Sequence, residues 1–340
     1  MKILDTTIRD GSYEVDFKFS CDDVAEITSK LDCLGFEYVE IGHGQGLDAS
    51  SLENGISLHS DAEYMQVANE NLKHGKFGFF CIPGIAKLES LGKARKNGMS
   101  FVRIGIDANR TEEAYDYIQE AKRQGLEVMV NFMKTYTVSP FVLAKKAKEM
   151  ELMHVDVVYI VDSAGTMLPQ EIEEYYQAIR SVSQIKLGFH GHNNLGLAVS
   201  NTIKCVELGF DMIDCTLQGV GRSLGNASTE MVVMTLKKMG YDIEIDLPRL
   251  LEYGYVLLRD IMPRPLQNPL DLMCGFTGLH SGYLKDIYKC CNEKHVDPLR
   301  LIMSYSQISK IEMNYDKLCE VADNLPRDFD SHPYKFREFI

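Results

Sequence analysis

Eight times between residues 2 and 240, a short run rich in β-branched and aromatic residues is followed by a segment of helical apolar spacing. The pattern predicts strands at 2–6, 38–42, 77–82, 101–106, 127–132, 157–161, 186–190 and 212–216. It predicts helices near 22–34, 61–73, 85–97, 111–124, 139–152, 169–182, 195–208 and 226–239. Several of these stop just before a glycine (Gly35, Gly98, Gly125, Gly209, Gly240), as helix C-termini commonly do. Eight strand–helix units fit a (β/α)8 barrel better than a doubly wound sheet, which usually stops at about five or six strands. The expected fold class is therefore α/β, a (β/α)8 TIM barrel.

The strand rhythm ends after Tyr241. Pro248, Pro263, Pro265 and Pro269 follow, then helical patterns near 281–292, 296–304 and 314–323. A helical C-terminal extension is implied, with the Pro-rich stretch 263–269 as the boundary: a catalytic barrel at 1–262 and an extension at 263–340 packed on the barrel. Composition narrows the function classes. With 45% apolar and 25% charged residues among 340, the chain is not disordered, collagen-like or a coiled coil, and it is long enough to bury an enzyme site. Lys and Arg number 36 against 49 Asp and Glu, a net charge of -13, so no broad cationic field exists to attract nucleic acid or an anionic membrane. The nine cysteines are odd in number, lie mostly in apolar runs and include no C-x-x-C pair; they read as small buried hydrophobes in a reducing cytosol. No basic leader opens the chain and no apolar run approaches the roughly 20 residues that span a bilayer, so a cytoplasmic location is expected.

In such a barrel the active site lies at the C-terminal ends of the strands. The polar residues there are Asp5, Thr6, Arg9 and Asp10 after the first strand, Glu40 and His43 after the second, Arg103 within the fourth, Asn131 after the fifth, and Asp162 and Ser163 after the sixth. The seventh ends in His190-Gly191-His192. Alternation along an extended segment points residues i and i+2 to the same side, so both imidazoles can face one metal ion. Asp10 is the candidate third ligand, because only strand 8 separates strands 1 and 7. Two imidazoles and a carboxylate with open positions favour Mn2+ or Mg2+, with Zn2+, Fe2+ or Co2+ as alternatives. The plain alternative is a pair of hydrogen-bonded surface histidines. Arg9 is either half of a loop ion pair or a fixed cation for an enolate or carboxylate oxygen. Gly219, Gly221 and Gly225 in GVGRSLGNAS make either an ordinary tight turn or an anion site at a helix N-terminus. Asn226, at the predicted start of the last barrel helix, either caps it or lends its side-chain oxygen to the metal.

Five motifs stand in barrel order: LDTTIRDGS at 4–12, VEIGHGQGLDASS at 39–51, VDSAGTM at 161–167, GFHGHNNLGLAVSNT at 188–202 and GVGRSLGNA at 219–227. Together they resemble the DRE-TIM metallolyase superfamily over about residues 2–240. Within it the chain is most similar to the 4-hydroxy-2-oxovalerate (pyruvate) aldolases, on HGQGLDASS and on the His59-Ser60-Asp61 that follows. The reactive Cys that 3-hydroxy-3-methylglutaryl-CoA lyases carry in the last glycine loop is missing, and Val161 stands where the biotin-dependent carboxyltransferases have a lysine.

The resemblance implies a divalent-metal class II aldolase that cleaves or forms a 4-hydroxy-2-oxo acid, with pyruvate and an aldehyde as its partners. It makes Asp10, His190 and His192 the metal ligands, with Asn226 at the place of a further one. Arg9 would stabilise the pyruvate enolate and Ser163 would sit near the substrate carboxylate. The aldolases' base, a histidine three residues after the metal-binding Asp, is replaced here by Tyr13, and a phenol of ordinary pKa near 10 is a poor base at neutral pH. A C-terminal Tyr that shapes their aldehyde site is replaced by His280. His43 and His280 therefore join Tyr13 as catalytic candidates. A homodimer is implied, with an aldehyde-processing enzyme as a candidate partner. Two alternatives remain: a Claisen-type synthase joining an acyl-CoA to a 2-oxo acid, suggested by GLHSG at 278–282, and a barrel that has lost catalysis and binds a partner.

Overall fold

A computed structural model describes residues 1–263 and 266–327; Pro265, one of the boundary prolines, lies outside the described residues. Eight parallel strands close into a barrel in chain order: β1 (Lys2–Asp5), β2 (Tyr38–Ile41), β3 (Lys76–Cys81), β4 (Phe101–Asp107), β5 (Glu127–Met133), β6 (Val157–Asp162), β7 (Lys186–Gly191) and β8 (Met212–Cys215). β8 returns to β1 with Leu4 opposite Asp214 and Asp5 opposite Cys215, so the loops after β7, β8 and β1 share one end of the barrel. Every strand agrees with its sequence expectation to within one residue at each end, because β-branched and aromatic runs bounded by turn residues mark a buried parallel strand clearly.

The barrel is filled, not hollow. Leu4, Tyr38, Phe101, Met129, Val157, Tyr159, Val161 and Met212 form one buried cluster of strand residues. Close approach is made possible by a strand glycine: a Cβ at Gly188 would fall 2.5 Å from the Tyr159 ring. Helices start on local signals. Ser20 and Ser60 each form a capping box with the acidic residue three positions on, and Ser139 caps a helix that opens with Pro140.

Two departures from expectation matter. A one-turn helix, Thr7–Gly11, follows β1, and the last barrel helix begins at Thr229 instead of 226, which leaves a longer loop after β8. In the C-terminal part, helices Leu284–Lys294, Pro298–Tyr305 and Tyr315–Asp323 lie where the sequence places them, but Leu247–Leu258 and Pro269–Thr277 were not foreseen. Pro248 and Pro269 occupy the first turn of these helices, where a missing N–H costs nothing, so prolines that read as breaks are starts.

The chain divides into two compact units, Met1–Val233 with Asp260–Pro263, and Met234–Arg259 with the described part of Arg264–Ile340. The first is the barrel. The second is helical, with Leu270, Met273, Leu299, Ile302 and Leu318 fully buried. None of the nine cysteines is in a disulfide, six of them are buried, and no helix among the described residues is long and apolar enough to cross a membrane.

Candidate active site

β1 runs directly into the Thr7–Gly11 turn, which carries Arg9 and Asp10 into the interior. Asp5 fixes the entry: its carboxylate accepts from the Thr7 N–H and the Thr7 hydroxyl, both at 2.9 Å. Across the barrel end, β7 delivers His190 and His192. One ligand atom each from Asp10, His190 and His192 lies within 4.8 Å of the others, all three residues are buried, and no other such trio occurs among the described residues.

The electrostatics suit a divalent cation. Burial pushes the His192 imidazole down to about 4, so it is neutral at pH 7 and keeps a lone pair for a metal. Burial would raise Asp10, but the Arg9 guanidinium, then His192 and His190, outweigh it and hold the carboxyl below its ordinary range. His190 Nδ1 lies 2.8 Å from Asp214 Oδ2, while its Nε2 is 3.6 Å from Asp10 Oδ2. Asp214 thus fixes the tautomer that leaves Nε2 free for a ligand.

A buried charge network links these groups. Arg9 donates through Nε to Glu40 Oε2 (2.7 Å) and through Nη1 to Asp10 Oδ1 (2.9 Å). Arg103, fully buried over the Tyr159 ring, donates to Glu40 Oε2 (2.9 Å) and to Asp214 Oδ2. Two guanidinium groups face three carboxylates, one negative charge in excess in a dry interior, which a bound cation offsets. The donor set is one carboxylate and two imidazoles, with His192 Nδ1 and Asn226 Oδ1 also buried without a partner, and it fits a divalent ion.

Asn226 does not cap the last barrel helix, which starts three residues later. Its Nδ2 donates to Asp10 Oδ2 (2.6 Å) and to the Val220 carbonyl (3.0 Å). Gly221 leaves space for that amide: a Cβ there would fall 2.1 Å from Asn226 Nδ2, and its φ of 151° is one that L side chains rarely adopt. Gly221 therefore serves a close approach to the Asp10 end of the site.

Beside the trio lies a cavity of about 310 Å³ lined by Arg9, Asp10, Tyr13, Asn131, Ser163, His190, His192 and Arg222, among others. Ser163 Oγ accepts from the Lys134 N–H at 2.9 Å. Asn131 is buried with an unpartnered side-chain oxygen. Tyr13 rests on the glycine of the His43-Gly44 pair, where a Cβ would come 2.5 Å from its ring. Burial pushes the Tyr13 phenol above its ordinary value, although Arg9 and Arg222 pull the other way. His43 is not among the lining residues; its ring stacks on Phe17 at 3.9 Å between centroids and its Nδ1 accepts from the Gln45 N–H. His280 lies in the second unit, exposed, where its Nδ1 accepts from the Gly282 N–H. Sequence reasoning did not single out Asp107, Lys134, Asp214 or Arg222. Asp214, an acid in the interior of a short apolar strand, carried a visible signal.

The HMGL-like family model matches residues 1–256, three quarters of the chain. The chain belongs to the HMGL-like family. A 4-hydroxy-2-oxovalerate aldolase from Geobacillus genomosp. 3 is 34% identical over 326 residues, 96% of this chain and 97% of that protein. An oxaloacetate decarboxylase from Mycobacterium tuberculosis is 36% identical over 283 residues, 82% of this chain and 83% of that protein. The fold of the HMG-CoA lyase from Brucella melitensis superposes with a TM-score of 0.67 at 19% identity, covering 77% of this chain and 99% of that one.

Proposed function

We propose that the protein is a divalent-metal-dependent pyruvate aldolase, a carbon–carbon lyase acting on a 4-hydroxy-2-oxo acid. The observation that carries this reading is the buried trio Asp10, His190 and His192 beside a guanidinium, Arg9, at a cavity. A divalent ion held by the trio, Mn2+ or Mg2+ by its oxygen preference, would supply Lewis-acid polarisation of a 2-oxo group. Arg9 spends Nε and Nη1 on Glu40 and Asp10, which leaves Nη2 for an oxygen that becomes negative as the enolate forms. Ser163 binds at the carboxylate end.

Among the titratable groups lining the cavity, Arg9 is ion-paired, Asp10 and the two histidines form the metal set, and Lys134 is paired with Asp107. Tyr13 and Arg222 remain, and of the two the phenol is the group that can exchange a proton with the 4-hydroxyl. In the cleavage direction the Tyr13 phenolate accepts the 4-hydroxyl proton as the C3–C4 bond breaks to release the aldehyde, and the resulting phenol returns that proton to C3 of the enolate to give pyruvate. With its phenol raised by burial, cleavage is expected to speed up toward alkaline pH.

A second reading has its own support. The oxaloacetate decarboxylase relative performs a step that also ends in a pyruvate enolate, and decarboxylation requires no base at Tyr13. One experiment separates the two. Tyr13→Phe should lose most aldol cleavage yet still exchange pyruvate methyl protons with solvent. A wild-type enzyme that releases CO2 from oxaloacetate but cleaves no 4-hydroxy-2-oxo acid would make decarboxylation the function. His43→Ala and His280→Ala, assayed beside it, test the imidazole alternatives; loss of cleavage in either with normal Tyr13→Phe activity would move the base there.

A further inference from the structure

The cavity holds one cation that this chemistry leaves without a task. Arg222 is exposed, lines the cavity, and makes no ion pair among the described residues, whereas Arg9, Arg103 and Lys134 are each tied to a carboxylate. We propose that Arg222 anchors an anionic group on the aldehyde half of the substrate, so that the aldehyde carries a carboxylate or a phosphate. This rests on the aldolase reading.

Two features place Arg222 on the aldehyde side, and a third fixes the loop that carries it. Its guanidinium carbon lies 5.5 Å from the centre of the Tyr13 ring, the phenol assigned to the 4-hydroxyl, so the group it meets is attached beyond C4. The pyruvate half already has Arg9 and Ser163. The loop that presents Arg222 is pinned on both sides: the Gly221 N–H donates to Glu14 Oε1 at 2.6 Å, and the Gly225 N–H donates to the Arg222 carbonyl at 3.1 Å. A planar fork stacked on a ring suits a carboxylate or phosphate, which it can grip with two parallel hydrogen bonds. A charge-assisted contact of this kind contributes roughly 10- to 100-fold in binding.

The test measures condensation of pyruvate with two matched pairs: propionaldehyde against succinic semialdehyde, and glyceraldehyde against glyceraldehyde 3-phosphate. Wild type and Arg222→Gln are compared, with pyruvate methyl-proton exchange followed by NMR as a separate readout of Arg9 and the metal set. The wild-type kcat/KM should favour the charged member of one pair by about tenfold or more, and the pair that shows it tells carboxylate from phosphate. Arg222→Gln should collapse that ratio through the aldehyde KM, with the pyruvate KM and proton exchange unmoved. Equal losses on charged and uncharged aldehydes, or a wild type that prefers the uncharged member of both pairs, would overturn the proposal. If no aldehyde condenses while methyl protons still exchange, the aldolase reading itself fails and the proposal falls with it.

Discussion

Asp214→Asn offers a direct probe of how the second layer of the site sets up the first. In the native network Asp214 Oδ2 lies 2.8 Å from His190 Nδ1 and also accepts from Arg103. A carboxylate can only accept, so the proton stays on Nδ1 and the Nε2 lone pair faces the side of Asp10, 3.6 Å away. An asparagine has the same shape but no charge, so its oxygen holds the Nδ1 proton less strongly and the tautomer with the proton on Nε2, which blocks ligation, gains population. Loss of such a partner typically costs about 10- to 100-fold in metal affinity, or about 1.4–2.7 kcal/mol. The fold should survive, because the substitution leaves two guanidinium groups facing two carboxylates, a balanced set, whereas Arg103→Met would strand Glu40 and Asp214 without their shared cation and cost about 3–5 kcal/mol. Mn2+ titration of the metal-free protein, with a thermal melt as the control for folding, measures both. A melt close to wild type together with Mn2+ affinity within twofold of wild type would refute the tautomer argument.

Chelation should abolish pyruvate release and added Mn2+ or Mg2+ should restore it, while His192→Ala, which deletes one of three protein ligands, should bind metal weakly even at high concentration; a chelated protein with full activity would remove the metal from the account. Arg9→Lys should lower kcat on the order of 10²-fold, since an ammonium cannot hold Glu40, Asp10 and an enolate oxygen at once; a change confined to KM would mean that Arg9 only binds substrate. Asp5 and Glu230 should each contribute a loss of stability as pH rises from about 4 to about 7. Burial raises the Asp5 and Glu230 carboxyls to about 7 each, so between those limits the folded chain keeps protons that the unfolded chain has released. Asp5→Asn removes one of the two, and its urea midpoint relative to wild type should improve between pH 5 and pH 8; an equal difference at both would contradict the assignment.

What the sequence made legible follows from the range of the interactions involved. The barrel was readable because each strand and helix declares itself over about ten neighbouring residues. The grouping of Asp10, His190 and His192 was readable because His190 lies near the end of β7 with His192 just past it, and Asp10 sits beside Arg9 just past β1. The supporting contacts were not readable, because they join residues far apart in the chain: Asn226 reaches Asp10 across 216 positions, and Arg103 reaches Asp214 across 111. Asn226 illustrates the difference. Its position before an apolar run left two readings, a helix cap or an oxygen for the metal; the loop after β8 extends to Thr229, which removes the local reading, and the side chain turns to Asp10. Local propensity places a residue on an element, while closure of the barrel decides which carboxylate it meets, and at this site closure decides the chemistry.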